Sequence, residues 1–399
     1  MTQRRSTRAV HGGREDFHEL GVHAPPIDLS STYPFPDLDE ATASLEALAE
    51  GAATAGTPIY SRLHNPTVAR FERALAELEG AEEAVAFGSG MAAVTAVLLA
   101  ARERGSHVVA LRPIYGGTDH LLTGGLLGMR VTWATPETVA AAITRETALV
   151  LMETPANPTM TMADITAVVD AAGAVPVLVD STFATPILQQ PLRHGAAFAL
   201  HSATKFLGGH GDVLGGVVAT SAEHAAALRR VRIVTGGVLH PLAGYLLHRG
   251  LPTLPVRVLA QQENARILAG RLVDHEAVRE VAYPGLPGQD PLGLVGRQME
   301  GPGSLMAFRI HGGHEAAREV LRRVKLITPA VSLGSVDSLI QQPAGLTHHI
   351  MDPEAREATG IGPDLLRLSV GLEDAEDLWE DLNQALTTAV AAQLAATAG

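Results

Sequence analysis

The stretch HSATKFLGGHGD, residues 201–212, carries Lys205, and lysine is scarce in this chain: of 30 basic residues, only Lys205 and Lys325 are not arginine. Arginine supplies a fixed positive charge. Only lysine can shed its proton near neutral pH and attack a carbonyl. Ser202 and Thr204 flank Lys205 with hydroxyls that can donate to an anion, and a glycine-rich turn follows. The chemistry suggested is imine formation beside an anionic group; the plainer alternative is a solvated loop lysine.

The partners for such chemistry fall where apolar runs end. Asp180 closes VPVLVD, and a carboxylate there is costly to bury unless it faces a cation such as a protonated ring nitrogen; capping the next segment is the alternative. Gly88-Ser89-Gly90-Met91 follows EAVAF and opens a helical stretch, which suits a phosphate at backbone amides. Gly88, Gly90 and Ala93 also fit a dinucleotide fingerprint, but the next strand ends VVALRP without the acidic residue that fingerprint expects, and a plain strand–helix turn is a third reading. Tyr115, on PIYGGT, can stack on a flat ring or transfer a proton. Asn157, between prolines in ETPANP, can bond a ligand or satisfy its own turn. A lysine, a carboxylate, a phosphate cradle and an aromatic face together ask for one ligand, pyridoxal 5'-phosphate (PLP).

These residues need a scaffold that gathers strand ends. EAVAF, HVVALR, ALVLME and PVLVD are apolar on both faces and alternate with helical stretches such as MAAVTAVLLAARERG, which predicts a parallel sheet covered on both sides. In such sheets ligands sit at the carboxyl ends of the strands. The expected class is α/β: a large parallel-sheet domain and a smaller C-terminal α+β domain. Residues 1–60 read as an extended arm with one short helix from Leu38 to Glu50, 61–255 as the cofactor-binding domain and 256–399 as the C-terminal domain. In the last, LPTLPVRVLAQQENARILAGRLVDH reads as a long helix, and VAYPG, SLMAFRI and LLRLSVGLE as strands.

Composition narrows the class. A net charge of −13 with no basic cluster argues against nucleic-acid binding, and the absence of cysteine excludes disulfides, thiolate nucleophiles and Cys-based zinc sites. Neither HGGH (311–314) nor THH (347–349) has a metal-binding spacing with a carboxylate. No apolar run is long enough for a bilayer, and a cytoplasmic enzyme acting on a small molecule is the expectation, with no nucleic-acid or membrane partner. An NAD-dependent dehydrogenase is the alternative from another class; it would leave Lys205 without a role.

The motifs YSRLHNPT (60–67), SGMAA (89–93), YGGT (115–118), ETPANP (153–158), VDSTFATP (179–186), HSATKFLGGHGD (201–212), YPGLP (283–287), SLGSVDSLIQQPAGLTH (332–348) and LLRLSVGLED (365–374) resemble the Cys/Met-metabolism family of PLP enzymes over nearly the whole chain. That resemblance implies the fold-type-I transferase architecture and a homotetramer of two tight dimers with active sites at the dimer interface. It implies that Lys205 forms the Schiff base and moves protons, that Asp180 pairs with the ring nitrogen, and that Tyr115 stacks on the ring and serves as acid. Asn157 would bond the phenolic oxygen. Gly90, Met91, Ser202 and Thr204 would hold the phosphate, with Tyr60 and Arg62 arriving from the neighbouring subunit. Arg367 and Ser332 would bind the substrate carboxylate. Ser181 departs from the family's usual Asn. GHGD, Val331 and THHIMDPEAREATGI (347–361) resemble the methionine γ-lyases, so γ-elimination of methionine is expected. The alternatives are cystathionine γ-elimination and the γ-replacements of cystathionine γ-synthase and O-acylhomoserine sulfhydrylase. Gly117, where those methionine lyases usually carry Cys, and Arg232-Ile233, in place of their Lys-Asp pair, point the other way.

Overall fold

A computed structural model describes residues 3–397, the side chains of 390–397 excepted. Seven strands form the larger sheet: β1 Glu83–Phe87, β2 His107–Leu111, β3 Arg130–Ala134, β4 Thr147–Glu153, β5 Val177–Asp180, β6 Phe198–His201 and β7 Gly216–Thr220, in the order β1-β7-β6-β5-β4-β2-β3. β2 to β6 pair in parallel, and every residue of β2 and β4 is buried, as their two-faced apolarity requires. β7 departs from the all-parallel expectation. It runs antiparallel between β1 and β6, returning the chain directly after the Lys205 loop.

Helices cover the sheet where their sequences dictate. Pro66–Glu79 starts on Asn65, whose Oδ1 accepts from the Thr67 and Val68 N–H groups, and stops on Gly80 in the left-handed conformation. Its Phe71, Leu75 and Leu78 are fully buried. Gly90–Ala101 is capped by Ser89, whose Oγ accepts from Ala92 N–H. The smaller sheet comprises β8 Val278–Ala282, β9 Leu305–Ile310, β10 Thr328–Pro329, β11 Leu339–Gln341 and β12 Leu365–Ser369, in the order β10-β11-β12-β9-β8, and has a core of its own with the helices Gly313–Arg323 and Ala375–Thr397. β8 lies earlier than VAYPG suggests, because Tyr283 turns inward to donate to Gly303 O. The long helix Leu254–Val273 joins the two sheets.

The N-terminal arm is less extended than expected. Arg5–His11 and Phe17–Leu20 are helical, with Ala9 and Phe17 buried. Arg5 donates to Ile187 O, and Arg70 forks onto Asp16 at 2.5 and 2.8 Å. These bonds between distant parts of the sequence are invisible to local pattern. The helix Leu38–Ala49 matches its expected span.

Candidate active site

The carboxyl ends of β1, β2, β4, β5 and β6 converge on a cavity of about 690 Å³, closed from the other side by the segments around Ser332 and Thr347 and by β12. Gly90, Met91, Tyr115, Asn157, Asp180, Ser202, Thr204, Lys205, Ser332 and Arg367 all line it. Tyr60 and Arg62 do not. The Tyr60 ring is 42% exposed, Arg62 lies 5.5 Å from its centroid, and the Arg62 guanidinium donates to Ile233 O.

Lys205 Nζ donates to Ser332 Oγ at 2.6 Å. Burial, aided by the charge of Arg367, lowers its pKa to about 8, so a substantial neutral fraction exists near physiological pH. Ser332 holds φ 81°, a conformation costing a non-glycine residue about 1–3 kcal/mol, and this turn presents its hydroxyl to Lys205 and its carbonyl to Arg367 Nη2 (2.7 Å).

Asp180 and Glu153 are register partners on β5 and β4. Asp180 Oδ1 accepts from both the N–H and the hydroxyl of Thr182 (3.0 and 2.6 Å). Desolvation nevertheless raises its pKa, outweighing the Thr182 hydrogen bonds and the charge of His201. Glu153 is pushed up further by burial and then by Asp180, while bridging the N–H groups of Tyr115 and Asn157 at 2.8 Å each. It thereby ties two site loops to β4. Neither Glu153 nor Thr182 was singled out from sequence. Each stands inside a quoted motif, and its role appears only once β4 and β5 are side by side.

At the end of the helix Gly90–Ala101, the Gly90 and Met91 N–H groups have no acceptor within the helix. A Cβ on Gly90 would meet Ser202 Cβ and Oγ at 3.0 Å, so glycine keeps this cradle open. Thr204 differs from expectation: its hydroxyl donates to Gly215 O (3.1 Å) and accepts from Gly215 N–H (3.0 Å), which commits it to the loop. Arg367 donates from Nη1 to Asn157 Oδ1 at 2.7 Å, and burial lowers its pKa to about 10. Arg232, which stands in place of the Lys of the Lys-Asp pair, is buried and donates to Glu72 Oε1 and Ala86 O. A second cavity, of about 420 Å³ and lined by Tyr283, Asp290 and Arg309 among others, contains none of the expected residues.

A neutralisable amine, a buried carboxylate, an amide cradle and a tyrosine therefore share one cavity, a donor set that fits PLP. The model of the Cys/Met metabolism PLP-dependent enzyme family matches residues 6–387. An L-methionine γ-lyase of Brevibacterium sandarakinum is 55% identical over 97% of this chain and 98% of its own length. A cystathionine γ-lyase of Bacillus subtilis is 41% identical over 96% and 99%. The crystal structure of cystathionine γ-synthase from Xanthomonas oryzae superposes with a TM-score of 0.90 at 37% identity, covering 98% of this chain and all of that one.

Proposed function

This chain belongs to the Cys/Met metabolism family of PLP-dependent enzymes, with the fold-type-I α/β architecture, and we propose that it is a carbon–sulfur lyase converting L-methionine to methanethiol, 2-oxobutanoate and ammonia. The observation that carries the substrate is the 55% identity, across almost the full chain, to a protein named for that activity. The cavity agrees with it. In this reading its charged lining, Glu153, Asp180, Lys205 and Arg367, is occupied with the cofactor and one α-carboxylate. Apart from His349 and Tyr115, the described lining offers no further titratable group for the second amino-acid head of cystathionine, whereas Leu214, Val331, Leu346 and Ile350 suit a methylthio group.

PLP, when bound, would supply the electron sink that makes the Cα proton and then the Cβ proton acidic, the latter leaving the electron pair that expels the γ-substituent. Lys205 would hold the cofactor at its carbonyl carbon and would take up the proton from the substrate's Cα; its lowered pKa fits it for both tasks. Asp180, steadied by Thr182, fixes a proton on the ring nitrogen. The Gly90 and Met91 amides and Ser202 hold the phosphate, with Thr204 once its hydroxyl turns from Gly215. Asn157, its Oδ1 given to Arg367, presents Nδ2 to the phenolic oxygen. Arg367 and Ser332 bind the α-carboxylate, and Tyr115 stacks on the ring and protonates the departing sulfur.

The same reading divides the chain into an arm (1–60), a cofactor domain (61–255) and a C-terminal domain (256–399), and makes the working form a cytoplasmic homotetramer of two tight dimers. Tyr60 and Arg62 then complete a neighbour's phosphate site. Their place outside their own chain's cavity supports this. Among the described residues no helix is long and apolar enough to cross a membrane.

The direct test is to supply L-methionine and L-cystathionine separately to the purified, PLP-loaded protein, whose cofactor should absorb near ~420 nm and lose that band in Lys205→Ala. Methanethiol from methionine is the expected product. Cysteine from cystathionine, with methionine inert, would move the assignment to cystathionine γ-lyase.

A further inference from the structure

The Arg367 guanidinium is held from behind by a chain of side chains that ends on a residue outside the cavity. Its donors encircle the Gln341 amide, so that amide is oriented with its oxygen inward. Oε1 then accepts from Arg367 Nη1 and Nη2 (3.2 and 2.7 Å) and from the Thr347 hydroxyl (3.2 Å). With its proton committed to Gln341, the Thr347 oxygen is the acceptor for His348 Nδ1, 3.0 Å away. His348 is fully buried, and burial together with the charge of Arg367 keeps it neutral, with a pKa lowered to about 4. Its segment is locked at both ends. His348 N–H donates to Pro343 O, and the Thr347 carbonyl lies 2.3 Å from where a Cβ on Gly116 would stand, against the start of the Tyr115 helix.

We propose that His348 is a positioning residue: through Thr347 and Gln341 it fixes the plane in which Arg367 meets the substrate carboxylate. The inference rests on Arg367 being the carboxylate site of the reading above, but not on which sulfur substituent departs. Arginine's planar guanidinium rewards such orientation, because Nε–H and an Nη2 proton released by the Ser332 carbonyl reach a carboxylate together only when the planes align. Asn157 Oδ1 and the Ser332 carbonyl hold the guanidinium at other points, so loss of the relay loosens the clamp without removing it.

A histidine that merely packs the loop makes a different prediction, because the loop also lines the cavity through Leu346, Thr347, His349 and Ile350. The test uses PLP-loaded protein and two ligands of one shape, L-norleucine and pentylamine, which differ by the carboxylate and carry no sulfur leaving group. Dissociation constants are read from the change in cofactor absorbance. His348→Leu should weaken norleucine about 10-fold and pentylamine less than about 2-fold, and Thr347→Val should do the same. These are shifts of the size a lost orienting bond produces. His348→Asn, which keeps a donor near the Nδ1 position, should recover most of the norleucine affinity. Equal weakening of both ligands, or none for either, overturns the proposal. If His348→Leu does not fold, Thr347→Val decides alone. A protein that releases no methanethiol yet shows the norleucine pattern would refute the activity and leave the positioning role standing.

Discussion

Within the cavity, each ionisable group is set by its neighbours. Lys205 sits in desolvating surroundings near the Arg367 cation, and both disfavour its ammonium form. The neutral amine is the form that reacts with an aldehyde, so the rate at which apoprotein takes up PLP should climb with pH with a midpoint near pH 8, well below that of a free lysine. Replacing Arg367 with Gln removes the second cause and leaves the first. The midpoint of the uptake profile should then move upward while staying below that of a solvated lysine. A midpoint that stays put, or falls, would show that the guanidinium's field does not reach Nζ. The reactive pieces, Lys205, Asp180, Tyr115 and Arg367, were legible because each is an unusual residue at the end of a recognisable strand or in a distinctive motif. Glu153 and Thr182 were not. Their importance comes from what they hold, Tyr115 and Asn157 in one case and Asp180 in the other, and a residue that acts by holding leaves no mark of its own in a single sequence.

Elements place these groups through close backbone contacts more than through length or propensity. β7 enters the sheet antiparallel beside β1 and brings Gly216 beneath the Ser89–Gly90 turn, the floor of the proposed phosphate cradle. A Cβ there would lie 2.1 Å from Ser89 O and 2.8 Å from Gly90 Cα, both backbone atoms that cannot swing away. Gly216→Ala should therefore cost about 3 kcal/mol of stability by overpacking and weaken PLP binding as the turn shifts. Gly270, exposed on the helix Leu254–Val273 with open space around it, is the control. Gly270→Ala should stabilise by about 0.5–1 kcal/mol, because alanine is the better helix former. Denaturant midpoints with and without PLP distinguish the two; a Gly216→Ala protein as stable as the parent would mean the β7 contact is looser than the geometry states. The sequence announced β1, β2, β4 and β5 by their two-faced apolarity and Pro66–Glu79 by its Asn start and Gly stop. The reversal of β7 was not legible, because a short buried strand reads alike in either direction. The docking of Arg5–His11 was hidden for another reason: Arg5 finds its partners Ile187 and Gln190 far along the chain.

For the molecule as a whole, the open matter is which chain's residues complete which cavity. Tyr60 and Arg62 lie outside the cavity of their own chain, and the arm before them exposes the large apolar side chains Leu20, Val22, Ile27, Leu29 and Phe35. In the proposed dimer a second copy would cover those side chains and receive Tyr60 and Arg62 beside its Gly90 cradle, adding a cation to a phosphate site built from backbone amides and the Ser202 and Thr204 hydroxyls. Two individually inactive variants test this. Arg62→Ala spoils the neighbour's site, and Lys205→Ala spoils its own. In a two-fold dimer of one chain of each kind, one site combines an intact Lys205 with an intact Arg62, and the other lacks both. Mixed one to one, unfolded and refolded together, the pair should recover about a quarter of the parental activity, since about half the dimers are mixed and each mixed dimer has one complete site. Sites built from single chains would give no recovery at any ratio, because every cavity would then carry one of the two lesions. Recovery that requires co-refolding, and is absent when the folded variants are simply mixed, would further place Arg62 in an interface too stable to exchange.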